Sequence, residues 1–162
     1  MWPSAAPVAS SGAEGVLPPP AAVVIDTNCV LDLLVFRDPR VAGLWAALQA
    51  GQAHWFGTSA MRAELARVLR YPRVAPRLVA GRLREVEVLA AFDRWARPCD
   101  AAAPAPVRCR DPDDQIFIDL AVQRRATLLS KDARVLGLAR RLQPLGVTLA
   151  NAWPADCSKR PY

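Results

Sequence analysis

Short apolar runs alternate along this chain with longer segments in which apolar residues recur at helical spacing. The run 21–25 (AAVVI) is rich in β-branched residues and ends at an acid, which predicts a strand buried on both faces. Shorter runs at 53–56, 126–129 and 147–149 predict further strands. Helical periodicity and Pro or Gly breakpoints predict helices over 27–36, 39–50, 60–70, 77–96, 111–125 and 131–142, with an extended loop over 98–108.

This alternation of strands and helices predicts the fold class. We expect an α/β protein, a three-layer α/β/α sandwich around a short, mainly parallel central sheet. Residues 1–20 are rich in Pro, Ala and Ser and offer little to bury, so they are expected to be disordered. One folded domain is expected over 21–152, followed by a C-terminal tail over 153–162.

Length and composition narrow the class of protein. The 162 residues are 52% hydrophobic and 22% charged, which is typical of a globular protein. A chain of this size buries roughly two thirds of its surface and needs no metal or disulfide for a core. No apolar stretch approaches the ~20 residues of a membrane span, and the N-terminal segment lacks the pattern of a secretory signal. We therefore expect a cytoplasmic protein with no membrane association.

The four cysteines lack the C-x-x-C spacing of a metal or redox pair. In a reducing compartment we expect all of them to be free thiols: Cys29, Cys99, Cys109 and Cys157. A Cys99–Cys109 disulfide across a short loop is the alternative.

The charge balance favours an anionic partner. Twenty-one Lys and Arg against 15 Asp and Glu give a net charge of +6, which suits nucleic acid but also reflects an arginine-rich composition. Four arginines are predicted to contact phosphates: Arg67, Arg70, Arg124 and Arg125.

Three tryptophans are expected in the core: Trp45, Trp55 and Trp95. His54 is expected at the surface or hydrogen-bonded.

Several enzyme classes lose their support in the sequence. His54 is the only histidine, which excludes two-histidine acid–base hydrolysis and histidine-rich zinc sites within one chain. Neither GxGxxG, GxxxxGK[ST] nor GxSxG occurs. Phosphate chemistry in this chain must depend on carboxylates, arginines or a metal.

Six acidic residues are candidates for that chemistry: Asp26, Glu64, Asp111, Asp113, Asp114 and Asp132. Asp26 and Asp132 follow apolar strands, so they are expected at the carboxyl ends of parallel strands, where open α/β sheets build their ligand sites. Asp114 lies at the start of a helix. Glu64 lies at the border of the buried face of its helix and is expected to point into a cleft beside the sheet.

Each acid also has a structural explanation. The segment 111–114 (DPDD) fits a helix N-cap, a proline at the first position and two acids in the first turn, an explanation favoured for Asp111 and Asp113. Asp26 and Asp132 are placed to cap the helices that follow them. Together, however, acids at one sheet edge repel one another unless a cation lies among them.

Carboxylate ligands of this kind suit Mg²⁺ or Mn²⁺, which bind through a few carboxylates plus water and substrate phosphate. Such an ion lowers the pKa of a bound water and neutralises developing charge, so no histidine is needed. The acids therefore indicate a phosphodiesterase.

Four segments carry a resemblance to a known family. They are VVIDTNCVLDLL, TSAMRAELARVLRYPRV, CRDPDDQIFIDLAVQRRATLLSKDARVLGL and GVTLANA. In order and spacing they resemble the PIN-domain ribonucleases, particularly the toxins of bacterial toxin–antitoxin systems, over about residues 23–152. In that family four acids at matching positions hold Mg²⁺ or Mn²⁺ for RNA hydrolysis. The resemblance implies this role for Asp26, Glu64, Asp114 and Asp132.

The resemblance also indicates which acid of the DPDD segment is the expected metal ligand. Asp114 is the expected ligand because the apolar stretch IFIDLA follows it directly, and Asp111 is the fallback. Asn28 and Ser130 are expected to orient carboxylates or water. Lys131 stands where the family pattern has Gly or Arg, a departure that should leave the metal site intact.

The predicted function is accordingly a metal-dependent endoribonuclease, the toxin of a toxin–antitoxin system. RNA is the expected substrate, and an antitoxin protein and a second copy of the chain are the expected partners. The alternative is a catalytically weak or inactive PIN-like module that binds RNA or protein, although a pure binder would not need all four acids. A haloacid-dehalogenase-like phosphatase is disfavoured because Asn28 stands where its second Asp is required.

Overall fold

The structure is a computed structural model and describes residues 18–153. Most of the predicted disordered segment, up to residue 17, and the predicted tail from residue 154 lie outside this range. The strands of the described range are β1 Ala21–Ile25, β2 Ala53–Thr58, β3 Ala96–Cys99, β4 Thr127–Leu129 and β5 Thr148–Ala150. They form one sheet in the order β3-β2-β1-β4-β5, and every neighbouring pair is parallel.

The helices of the described range connect these strands. They are α1 Thr27–Leu31, α2 Ala42–Gln49, α3 Ser59–Leu69, α4 Ala75–Ala80, α5 Glu85–Trp95, α6 Pro112–Arg124, α7 Ala133–Leu136 and α8 Ala139–Leu142. A π-helical turn, Asp32–Phe36, continues α1. Helices α2, α3 and α5 pack against β2 and β3, and α6 packs against β1 and β4. This confirms the predicted three-layer α/β/α fold.

The core lies on both faces of the central strand β1. Val23 and Val24 of this strand are fully buried, as a strand covered by helices on both faces requires. On β2, the buried Trp55 ring meets Phe92 edge to face at 5.1 Å between centroids. Gly57 makes room for the same ring, since a Cβ there would lie 2.8 Å from Phe92. Close packing thus fixes α5 against β2.

Three predicted elements differ from the structure. The helix predicted over 77–96 is two helices, α4 and α5, because the chain turns at Gly81 and at Arg82, whose φ is +55°. The loop predicted over 98–108 begins inside strand β3, which was not predicted. The helix predicted over 131–142 is two short helices separated at Gly137.

The remaining side-chain predictions are met to different degrees. Trp55 is buried, whereas Trp45 and Trp95 are partly buried and pack on each other with centroids 4.9 Å apart. Three cysteines are free thiols, Cys29, Cys99 and Cys109, and Cys157 lies outside the described residues. Between residues 18 and 153 no helix has the length and apolar content needed to cross a bilayer.

Candidate active site

The carboxyl ends of β1 and β4 bring Asp26 and Ser130 together. The two strands are parallel neighbours, and the Asp26 N–H donates to the carbonyl oxygen of Leu129 at 2.9 Å. The Ser130 hydroxyl donates to Asp26 Oδ2 at 2.8 Å and accepts the backbone N–H of Asp132 at 3.1 Å. Ser130 therefore links two of the four candidate acids.

Asp26 is buried at the start of α1. Burial raises the pKa of its carboxyl group above the ordinary value of 3.8, and the hydrogen bond from Ser130 opposes the rise. Its side chain makes no N-cap hydrogen bond to α1. Helix capping therefore does not account for this acid.

Glu64 reaches the same edge of the sheet from α3. Its side chain is 17% exposed, and its Oε2 accepts the Thr27 hydroxyl at 3.0 Å. Burial raises the pKa of Glu64, and the Thr27 hydrogen bond opposes that rise. Arg67 Nη2 lies 3.9 Å from Glu64 Oε1 and 4.0 Å from Asp113 Oδ2, so this arginine stands at the rim of the site.

Asp114 contributes the least satisfied group of the site. Its Oδ2 atom is buried and has no hydrogen-bond partner in the described part of the chain. Burial raises the pKa of Asp114 to about 7, and repulsion from Asp26, Asp132, Asp111 and Glu64 adds to the rise. The negative charges of the other carboxylates of the site therefore all repel the ionised form of Asp114.

Capping explains some of the acids and not others. Asp111 Oδ1 accepts the N–H of Asp113 at 2.9 Å as the N-cap of α6, and Asp113 is exposed in the first turn. Asp132 Oδ1 accepts the N–H of Arg134 at 2.8 Å as the N-cap of α7. The capping explanation therefore accounts for Asp111 fully, for Asp132 in part, and leaves Asp114 without a structural role.

Within residues 18–153, the other predicted residues make no hydrogen bond or ion pair with these four acids. Asn28 is exposed on α1, and its side chain makes no hydrogen bond within residues 18–153. Arg70 pairs with Glu85 on the outer surface, with 3.1 Å from Nε to each carboxylate oxygen. Arg124 lies over the Phe56 ring, and Arg125 ends α6 with a φ of +49°. These arginines have different partners, and their contact with phosphate stays a prediction.

Sequence reasoning missed two contacts of the site. The Thr27 hydroxyl, inside the quoted VVIDTN segment, holds Glu64. Lys131 Nζ lies 2.6 Å from Oδ2 of Asp32, whose side chain is 6% exposed, and this ion pair ties the loop after β4 to the π-helical turn. An acid inside the apolar run VLDLLV is the signal that points to a buried partner.

The donor set fits a hard divalent cation. All four candidates are carboxylates, the ligand type that Mg²⁺ and Mn²⁺ prefer, and the orphaned Asp114 Oδ2 is a free acceptor among like charges. Within the described range, no three Asp, Glu, Cys or His side chains are arranged so that together they could hold a metal ion. Mg²⁺ commonly binds through one or two carboxylates and completes its shell with water and phosphate.

Comparison with known proteins assigns the chain to a family. No curated protein matches the chain. A family model described as the PIN domain matches residues 22–134, more than two thirds of the chain, and the match spans all four candidate acids. PIN domains are in general nucleases and typically use divalent metal ions. With its all-parallel sheet and acids at the carboxyl ends of the central strands, the chain belongs to the PIN-domain family.

Proposed function

We propose that this PIN-domain protein is a divalent-metal-dependent endoribonuclease whose Mg²⁺ or Mn²⁺ ion is held by Asp26, Glu64, Asp114 and Asp132. The observation that carries the proposal is the buried, unpartnered Asp114 Oδ2, which lies in the field of the other three acids. An isolated carboxylate in such a place is costly unless a cation compensates it. The family's nuclease chemistry supplies a reason for keeping it there.

Neighbouring hydroxyl groups orient two of the proposed carboxylate ligands. Ser130 holds Oδ2 of Asp26, and Thr27 holds Oε2 of Glu64, so both carboxylates are oriented by hydroxyl donors. The pKa of Asp114, about 7, lets this carboxyl group hold a proton near neutral pH, and a bound cation would favour its ionised form. A bound divalent ion supplies a lowered pKa for water and neutralises charge at the phosphate.

Histidine is not needed in this scheme. The ring of His54 is hydrogen-bonded to Arg97, and the residue lies near the start of β2, whereas the acids lie at the carboxyl ends of β1 and β4.

As part of the same proposal, resting on the family resemblance, the protein is a cytoplasmic toxin. An antitoxin protein neutralises it, and it assembles as a homodimer.

The test is an RNA cleavage assay with matched carboxylate variants. We expect wild-type protein to cleave single-stranded RNA in Mn²⁺ or Mg²⁺ and not in EDTA. Asp26→Asn should lose more than about 100-fold in rate, because even the loss of groups that merely support metal ligands costs 10–100-fold. The control Asp93→Asn removes an exposed acid from an ion pair with Arg62 and should retain activity.

Two results would contradict the nuclease proposal. One is an Asp26→Asn protein, free of contaminating nuclease, that cleaves like wild type. The other is cleavage that persists unchanged in EDTA. The toxin assignment is tested separately: induced expression of wild type should arrest bacterial growth, and Asp26→Asn should not.

A non-catalytic RNA-binding module is the second candidate. It is favoured by the absence, among the described residues, of three acid, thiol or imidazole side chains placed to hold a metal ion together. Calorimetry with Mn²⁺ separates the two functions, because a pure binder would take up RNA without taking up the ion.

A further inference from the structure

Five side chains form a surface at the edge of the sheet, which we call the β3 edge surface. They are His54, Phe56, Arg97, Cys99 and Arg124. Phe56 on β2 lies directly opposite Arg97 on the edge strand β3. Paired residues of neighbouring strands are about 4.8 Å apart and project to the same face, so the ring and the guanidinium group are neighbours.

Arg124 reaches this surface from the last turn of α6. Its guanidinium carbon lies 4.5 Å from the centroid of the Phe56 ring, a cation–π distance. Its Nη2 donates to the Cys99 sulfur at 3.2 Å. The guanidinium plane is therefore held in place by an aromatic ring and a thiol, while the residue as a whole is exposed.

Arg97 is held in a similar way by a neutral partner. Its Nη2 lies 3.0 Å from His54 Nε2. Burial, and then the charge of Arg97, lowers the pKa of His54 below its ordinary value of 6.5. The imidazole is consequently neutral at physiological pH and accepts the hydrogen bond.

The partners of Arg97 and Arg124 leave their charges uncompensated. Neither arginine contacts a carboxylate within residues 18–153. On the opposite layer, by contrast, Arg62 and Arg70 are each paired with an acid. Two planar, ordered and unneutralised guanidinium groups beside an aromatic ring match the features that bind single-stranded nucleic acid.

We propose that the β3 edge surface binds single-stranded RNA, with phosphates on Arg97 and Arg124 and a base stacked on the outer face of the Arg124 guanidinium. The inference rests on the proposed ribonuclease function for the choice of RNA. Arg124 lies ten residues beyond Asp114 on α6, roughly 15 Å along the helix. The surface therefore holds a part of the RNA strand separate from the phosphate that is cleaved.

The test is a binding measurement in EDTA, where no cleavage occurs. A fluorescein-labelled single-stranded RNA of roughly 16 nucleotides, within the range of known binding-site sizes, is titrated with protein across a salt series. Arg97→Gln and Arg124→Gln should each weaken binding by roughly fivefold or more and lower the salt slope by about 0.7. The control Arg62→Gln removes the same charge from a paired site and should change affinity less than about twofold.

Two further variants separate stacking from charge. Arg124→Lys keeps the charge and loses the planar group, so it should weaken RNA binding with an unchanged salt slope. Phe56→Leu removes the support of the guanidinium and should weaken binding without any change in net charge. Melting temperatures are measured for each variant. If Arg124→Lys binds like wild type, the stacking role is overturned.

Other outcomes overturn the proposal or separate it from the nuclease assignment. Equal losses in Arg62→Gln and Arg97→Gln would mean that net charge alone sets the affinity, which overturns the β3 edge surface as a site. A poly-glutamate peptide is a second probe, and variants that lose this peptide but keep RNA would assign the surface to a protein partner instead. If wild type binds RNA through these arginines but cleaves nothing in Mn²⁺, the surface is upheld and the nuclease proposal fails.

Discussion

Two charged regions of this molecule differ in whether their charges are paired. On the α3–α5 surface, cations and anions alternate in ion pairs: Arg62 with Asp93 at 2.7 Å, Arg70 with Glu85 at 3.0 Å and Arg84 with Glu87 at 3.6 Å. At the carboxyl edge of the sheet, Asp114 is repelled by Asp26, Asp132 and Glu64, and the nearby cations are Arg67 at the rim and Lys131. A surface that only has to be soluble pairs its charges, whereas a region that keeps like charges together is suited to an added ligand.

The sharpest way to break this comparison is to remove one unpaired acid and one capping acid. Asp114→Asn should abolish RNA cleavage, with a loss of more than about 100-fold, because it removes the negative charge and replaces one carboxylate oxygen by an amide NH₂. Asp111→Ala should keep activity and cost about 1 kcal/mol of folding stability through loss of the N-cap of α6. Cleavage assays and chemical denaturation of both variants decide it, and the reverse pattern would make Asp111 the ligand.

A bound ion should stabilise the acid cluster and leave the α3–α5 surface unaffected. At Mn²⁺ concentrations about 100 times the dissociation constant, mass action adds about 2.7 kcal/mol of stability. For a domain of this size that corresponds to a rise in Tm of roughly 5–10 °C. Thermal melts of wild type and Asp114→Asn with increasing Mn²⁺ measure the effect. An equal rise in both proteins would place the ion elsewhere.

Without metal, the stability of the protein should fall as pH rises. The pKa of Asp114 is about 7 in the folded protein and 3.8 without the fold, so between these values the folded state binds more protons. As far as this group is concerned, stability is therefore highest below about pH 4 and declines between about pH 4 and pH 7. Melts in EDTA across this range should show the decline in wild type and a weaker one in Asp114→Asn.

The smallest effect should come from the surface whose charges are already paired. Arg62→Ala breaks an exposed ion pair, and such pairs contribute about 0.5 kcal/mol or less. Denaturation curves and cleavage rates should both stay close to wild type. A large loss of activity in this variant would show that the α3–α5 surface takes part in function.

The sequence predicted the parts of the fold whose signals are local. Strand β1 is an apolar run because helices cover both of its faces, and β2 and β4 were recognised in the same way. Strand β3 (ARPC) was missed because it lies at the sheet edge, where Pro98 and an exposed Arg97 are tolerated. The apolar spacing of α5 runs directly into it and hides the boundary.

For the candidate site, only the positions of the acids relative to the strands could be predicted from the sequence. The positions of Asp26 after β1 and of Asp132 beyond β4 follow from strand ends, but their role as metal ligands stays a prediction. The Thr27–Glu64 hydrogen bond and the Asp32–Lys131 ion pair join residues far apart in the sequence. Such pairs depend on how the layers pack, and no local periodicity records that.

The hydrogen bond from Ser130 to Asp26 spans 104 residues, and this has a consequence for synthesis of the protein. Strand β1 is made early, but its neighbour β4 and the residues that follow it are made about a hundred residues later, a delay of roughly 5–20 s at ordinary translation rates. A nascent chain that ends before β4 has Asp26 without its hydroxyl donor and lacks Asp132 altogether. Under the proposed ribonuclease function, the order of the strands therefore keeps the acid site incomplete until β4 and the residues that follow it have been made.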